Sequence, residues 1–224
     1  MNAKTVLVTG ADGQLGSTLL PKLTAAGFKV IAITGSPDHK GNFPGVSYFS
    51  ADLSSEKAVT ILFEAICEGN PSLNHGIFLA GGYRHASISE ADESLVRGLF
   101  DLNFFTAYHI SRLLFMQCMK NSEESRLVFT GALPGADITS DPGSFAYGLS
   151  KSLLFTYANA INQQGAGANI TARIIVPVTM DTPANRKSMP HADRSKWVAP
   201  SKVADAFCSC LTDKPEEAVY QIIS

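Results

Sequence analysis

TVLVTGADGQLG, residues 5–16, is an apolar, partly β-branched run that breaks into a loop with Gly10, Gly13 and Gly16 and then enters a helical pattern. A strand that ends in such a loop and opens into a helix gathers unpaired backbone N–H groups and the positive end of the helix dipole in one spot, which suits a phosphate. Gly10, Asp12, Gly13, Gln14, Leu15 and Gly16 are therefore candidate cofactor contacts. The competing reading is a tight strand-to-helix turn that binds nothing, and the loop alone does not say which phosphate it would take.

Working outward, short β-branched runs alternate with longer helical patterns, the signature of parallel βαβ units. Strands are expected at 5–9, 29–34, 46–51, 76–80, 126–131, 169–177 and 218–224, and helices at about 14–26, 55–68, 90–97, 101–120, 146–164 and 201–212. The expected fold is α/β: a doubly wound, parallel, seven-stranded sheet of Rossmann type with helices on both faces, as one domain over 1–224. Pro21 falls inside the first helix and should kink or strain it.

Composition fits this class. With 224 residues, 45% hydrophobic and 17% charged, the chain buries a substantial core. A net charge of −2 without any Lys/Arg block argues against nucleic acid or an acidic membrane surface as a partner. No apolar stretch approaches the roughly 20 residues that span a bilayer, and the N-terminus enters a strand pattern too soon for a secretory signal, so a cytoplasmic location is expected. Cys67, Cys118, Cys208 and Cys210 lack metal-ligand spacing and read as buried reduced thiols. No metal is expected.

In such a sheet the ligand crevice lies beyond the carboxyl ends of the strands, where strand order reverses. Asp52 closes the third strand, where its carboxylate would take a hydrogen bond from an adenine amino group, with Leu53 beside it; the alternative is an N-cap for the helix near Ser54. Ala80, Gly81 and Gly82 follow the fourth strand and admit a backbone close to a ribose or adenine. At the end of the second strand, where an acidic residue usually selects NAD, stand Thr34, Gly35 and Ser36. Without that carboxylate a 2′-phosphate is not repelled, and Ser36, His39 or Lys40 would contact it, although Asp12 opposes the same phosphate. The cofactor reads as NAD(P), with the balance toward NADP.

FAYGLSKSLLFTYANAI, residues 145–161, reads as a helix, so Tyr147 and Lys151 at i and i+4 share one face, Cβ atoms about 5–6 Å apart. A phenol with a pKa near 10 needs a nearby cation to exchange protons at neutral pH. Lys151 would supply that cation and hold a nicotinamide ribose, leaving Tyr147 to pass a proton to the atom that receives hydride. An accidental Tyr/Lys pair on an amphipathic helix is the alternative.

Together TGADGQLG, ADL, LAGG and YGLSK resemble, in order and spacing, the cofactor loop, adenine contact, NAG-type segment and YxxxK motif of the short-chain dehydrogenase/reductase family. The resemblance implies that Asn103 helps organise a water-linked proton path to the lysine, and that Pro177, Thr179 and Thr182 after the sixth strand lie near the nicotinamide. Val178 departs from the family's usual Pro-Gly. One family residue is missing: the serine about a dozen residues before the tyrosine aligns with Ala132 or Gly131, and no hydroxyl occurs from Gly131 to Asp137, with Thr130 just before.

The segment from Pro177 to Trp197 and the AGGY turn resemble quinonoid dihydropteridine reductases and their bacterial relatives, a branch that also lacks the serine. The implied function is an NAD(P)H-dependent reductase acting on a planar quinonoid, dihydropteridine-like, or carbonyl substrate. The alternative is a non-catalytic NAD(P)-binding sensor on the same fold. A nucleotide-sugar epimerase is disfavoured, since only residues 183–224 follow Thr182. The loop at about 182–200, with Trp197, reads as a substrate lid. Phe104, Phe105, Leu113, Leu114, Phe115, Leu153, Leu154 and Phe155 give two helices more apolar surface than one sheet face needs, which points to a homodimer or homotetramer.

Overall fold

The computed structural model describes residues 4–36, 43–70, 72–120, 123–213 and 220–224. Its sheet has the order β3-β2-β1-β4-β5-β6-β7 and every pairing is parallel. The strands are β1 (Thr5–Thr9), β2 (Lys29–Thr34), β3 (Val46–Ser50), β4 (Leu73–Phe78), β5 (Ser125–Thr130), β6 (Ile170–Pro177) and β7 (Tyr220–Ile223). The order reverses between β1 and β4, so the carboxyl ends of these two strands open the crevice.

Period-two alternation divides the strand side chains between two cores. Leu7, Ile31, Ile33, Leu127 and Phe129 face one cluster, which helices α2 (Glu56–Gly69), α4 (Thr106–Cys118) and α6 (Phe145–Gly165) cover. Val6, Val8, Val30, Ile77, Val128 and Ile175 face the other, under α1 (Gln14–Ala25) and α8 (Pro200–Thr212). A fully buried aliphatic side chain contributes about 1.5–3 kcal/mol, whereas an exposed pair such as Lys4–Glu124 contributes roughly 0–1 kcal/mol. The two apolar faces therefore hold the sheet.

Several expected boundaries move. β4 starts at Leu73, earlier than the expected 76, because Asn74 and His75 are polar residues buried inside the strand. β7 is parallel to β6; positions 218–219 of its expected span lie outside the described residues, as do His39 and Lys40. The expected helices at 90–97 and 101–120 form one run: α3 (Glu93–Phe100), capped by Asp92, passes through a π-helical turn at Asp101–Phe105 into α4. α1 continues across Pro21. Residues 182–200 are not a structureless loop, since they hold α7 (Pro183–Ser188) and a 3₁₀ turn at Arg194–Lys196; a short helix, α5 (Leu133–Ala136), follows β5. Of the four cysteines only Cys118 and Cys210 are buried; Cys67 and Cys208 are half-buried. Among the described residues no helix is long and apolar enough to cross a membrane.

Candidate active site

The glycine loop leaves β1 with Gly10 at φ +63°, a left-handed conformation, and a Cβ there would lie 2.8 Å from the backbone N of Ala80. A Cβ on Gly16 would lie 2.6 Å from Gly10 O, so both positions need glycine for close approach. Gly13 is the N-cap of α1 and offers no side chain to the first turn; its carbonyl accepts from Ser17 N at 2.9 Å. The N–H groups of Gln14, Leu15 and Gly16 thus have no acceptor within the helix. The free N–H groups at the start of α1 suit a pyrophosphate, and the glycines let the turn pack on the backbone of Ala80 and Gly10.

Around this cradle the candidates divide. Asp12 reaches across to β2, where its Oδ2 accepts from Gly35 N at 3.2 Å, and it stays exposed with Ser36 at the mouth. Thr34 does not reach the mouth: it is buried, and its hydroxyl donates to Ser36 O and Phe49 O. Asp52 is not the N-cap of α2, a place that Ser55 takes by accepting from Ala58 N. Instead Asp52 Oδ1 accepts from Ser54 Oγ at 2.6 Å and Ser54 N at 2.9 Å, which lowers its pKa, while the carboxylate stays exposed. Leu53 is a core side chain, with only its carbonyl outside that role, accepting from His109 Nδ1 at 3.1 Å.

The exit of β4 carries Ala80, Gly81 and Gly82. Ala80 N donates to Thr9 Oγ1, tying this turn to the end of β1. Asn103, fully buried, accepts from Gly82 N at 2.9 Å and donates from Nδ2 to Gly82 O at 3.0 Å and Ser150 Oγ at 3.1 Å. The π turn, one residue wider than an α turn, presents this side chain to the Gly81–Gly82 backbone. A Cβ on Gly81 would stand 2.7 Å from Asn103 Oδ1 and 3.2 Å from Lys151 Nζ. Gly81, Asn103 and Lys151 therefore meet.

Tyr147 and Lys151 sit on successive turns of α6, and the Lys151 ammonium reaches this point. Lys151 is 4% exposed, and Nζ donates to Thr130 O at 2.9 Å; burial pulls its pKa down to about 8. Tyr147 is half-buried, with its ring edge-on to Tyr83 at 5.0 Å. Burial first, and then the neighbouring Tyr83, push its phenol up to about 12. Ser150 Oγ donates to Tyr147 O at 2.7 Å, linking the tyrosine's backbone to Asn103.

The missing serine is not replaced from β5. Ala132 is buried at the start of α5, and Thr130 belongs to β5, its hydroxyl donating to Phe78 O at 3.0 Å. Hydroxyls come from elsewhere: Tyr83 OH lies 2.9 Å from Ser144 Oγ, and Ser144 Oγ donates to Asp141 Oδ2. Sequence reasoning missed this trio because it sought a hydroxyl only over 131–137. Ser144, three residues before Tyr147, and an aromatic phenol directly after Gly81–Gly82 were the available signals.

Beyond β6, Pro177 ends the strand and Thr179 is exposed, its carbonyl accepting from Val198 N at 3.0 Å. Thr182 is buried and caps α7 by accepting from Asn185 N at 3.1 Å. The excursion 181–198 is closed at its neck by Asp181 N donating to Val198 O at 2.8 Å, and within it Arg186 grips Asp181 through two hydrogen bonds. Trp197 is half-buried beneath the Arg194 guanidinium at 5.7 Å.

A family model described as short chain dehydrogenase matches residues 4–193. The dihydropteridine reductase of Dictyostelium discoideum is 30% identical over 218 residues, 94% of this chain and 89% of that one. Among solved structures, ElxO with NADP bound superposes with a TM-score of 0.90 at 16% identity, covering 99% of this chain and 97% of that one. The 4-hydroxyisoleucine dehydrogenase complexed with NADH gives 0.84 at 18%, covering 98% and 96%.

Proposed function

The chain belongs to the short chain dehydrogenase family and is an NAD(P)-dependent oxidoreductase; from that premise we propose a reductase of planar, quinonoid dihydropteridine-like or carbonyl substrates. The observation that carries this reading is the meeting of Lys151 Nζ, the Gly81 backbone and Asn103 at the exit of β4, with Lys151 one helical turn after Tyr147 on α6. The 30% identity to a dihydropteridine reductase supports the substrate class.

In this reading the N–H groups of residues 14–16 hold the pyrophosphate, Asp52 and the Leu53 backbone flank the adenine, and Ala80, Gly81, Pro177, Thr179 and Thr182 border the nicotinamide half. Bound there, NAD(P)H supplies the hydride. Tyr147 supplies the proton. A phenol held at about 12 keeps its proton throughout the neutral range, which suits reduction, where the tyrosine must start protonated. Lys151, buried and hydrogen-bonded to Thr130 O, lies toward the ribose side and stabilises the phenolate left after transfer. Asn103 keeps the Gly81–Gly82 turn against the lysine. A conjugated acceptor spreads the incoming charge over its ring system, so the serine that would hold a localised alkoxide is less needed.

At the end of β2 the lack of a carboxylate on Thr34, Gly35 and Ser36 supports NADPH, while the Asp12 carboxylate beside Gly35 N works against its 2′-phosphate. Residues 182–200 form the lid, with the Met180–Val198 bridge as its neck. The test is turnover of quinonoid dihydropterin, with aldehydes, ketones and quinones alongside. Tyr147→Phe is expected to lower turnover at least about 100-fold, within the range for loss of a general acid. Cofactor binding without turnover of any substrate would instead support a sensor.

A further inference from the structure

The substrate side of Tyr147 is furnished with a hydroxyl whose polarity can be worked out from its partners. Tyr83 is 59% exposed, directly after the Gly81–Gly82 turn, and its ring packs edge-on to Tyr147 at an interplanar angle of 81°. Its hydroxyl lies 2.9 Å from the Oγ of Ser144, which is fully buried. Ser144 in turn is fixed to Asp141 twice, by its Oγ donating to Oδ2 and its backbone N donating to the Asp141 carbonyl at 3.0 Å.

Protons in this chain have one consistent arrangement. A carboxylate only accepts, so the single Ser144 hydroxyl proton points to Asp141. Ser144 Oγ can then only accept from Tyr83, and the Tyr83 proton points inward. What Tyr83 has left for the mouth of the site is lone pairs. The other polar neighbour is His85 Nδ1 at 3.4 Å, a separation too long for a strong bond, and its ring is packed on Gly143. The serine expected near Ala132 would have donated to a substrate oxygen. Tyr83 offers the opposite polarity, an acceptor strengthened because its own proton is drawn toward a carboxylate through a buried hydroxyl.

We propose that Tyr83 is a specificity-determining residue that accepts a hydrogen bond from a ring N–H of the substrate, oriented by Ser144 and Asp141. The substrate class this selects is a heteroaromatic ring carrying a cyclic amide or amidine N–H, in preference to a ketone or quinone of similar size that has no such donor. The inference deepens the reductase reading and rests on it for the location of the substrate. Ser144 and Asp141 act as positioning residues, since they reach the substrate only through Tyr83.

Binding to the full chain loaded with NAD(P)+ separates this idea from the chemistry. Calorimetric titration with 6,7-dimethylpterin and with its ring-N-methylated counterpart is expected to show the N–H form bound at least about 10-fold tighter by wild type, the scale of one hydrogen bond to a polarised acceptor. Tyr83→Phe keeps the exposed ring and is expected to bring the two ligands to equal affinity; Ser144→Ala, which frees the Tyr83 proton to turn outward, is expected to shrink the preference. Equal binding of both ligands by wild type, no binding of either, or a preference that survives Tyr83→Phe would overturn the proposal. Turnover by wild type and its loss in Tyr147→Phe report the parent reading separately. A Tyr83-dependent preference without turnover would leave the acceptor standing and remove the reductase.

Discussion

Lys151 keeps its ammonium where water scarcely reaches, with one donor on Thr130 O, and burial lowers its pKa to about 8. The charged form is therefore lost as pH rises through about 8, rather than near the usual 10.5. Because kcat/KM follows the free enzyme, kcat/KM for NAD(P)H-dependent reduction is expected to be level below that pH and to fall above it. A profile level up to pH 10 would separate the lysine from the proton transfer. Asp12 sets a second charge at the mouth. Asp12→Asn removes a negative group beside Gly35 and is expected to strengthen NADPH relative to NADH by about 3- to 10-fold in direct titration, the size of one partly screened charge contact. The close backbone approaches at Gly10 and Gly16 and the shared helix of Tyr147 and Lys151 were readable because loop sterics and an i, i+4 spacing are local properties. The surroundings of Thr34 and Leu53 were not, since both side chains are taken up by packing and hydrogen bonds with distant strands and helices. Tyr83, Ser144 and Asp141 meet only once the β4 exit folds over the start of α6.

Strands and helices were legible wherever apolar periodicity was strong, and shifted wherever polar residues entered the core. Asn74 and His75 hid the start of β4; His75 fits there because its Nδ1 accepts from Arg126 N, and burial lowers its pKa to about 4, keeping the ring neutral. The π turn was equally hidden, because one extra residue per turn leaves the apolar pattern of residues 93–118 looking like two helices. That same widening brings Asn103 against Gly82. Helix α7 was missed because its six residues carry no apolar stripe, only a Thr182 cap and an Asp181–Arg186 pair. Half-buried aromatics cluster where the π turn, α4 and α6 meet: Phe104 stacks on Tyr108 at 5.5 Å, and Tyr157 lies edge-on to Tyr108 at 5.4 Å. Leu114 and Leu154 belong to the core and do not add to that half-buried surface. Pairing of α4 and α6 across a two-fold axis is expected to give a dimer or tetramer mass by light scattering. A monomer at micromolar concentration would refute it.

For the molecule as a whole, the alternation of strand and helix was enough to predict a doubly wound parallel sheet with its ligand residues just after the strands; that the order reverses between β1 and β4 came only with the structure. Sequence pattern could not foresee how the chain fills the crevice. The glycine loop follows β1, Asn103 clamps the Gly82 backbone after β4, α6 brings the Lys151 ammonium to Gly81, and the 181–198 excursion follows β6. In the proposed reduction Tyr147 gives up a proton as hydride reaches the acceptor. Single-turnover loss of nicotinamide absorbance, with quinonoid 6,7-dimethyldihydropterin mixed into the NAD(P)H-loaded chain, reads that step directly. Wild type is expected to react at least about 100-fold faster than Tyr147→Phe while both bind cofactor equally; equal rates in the two would contradict the role of Tyr147.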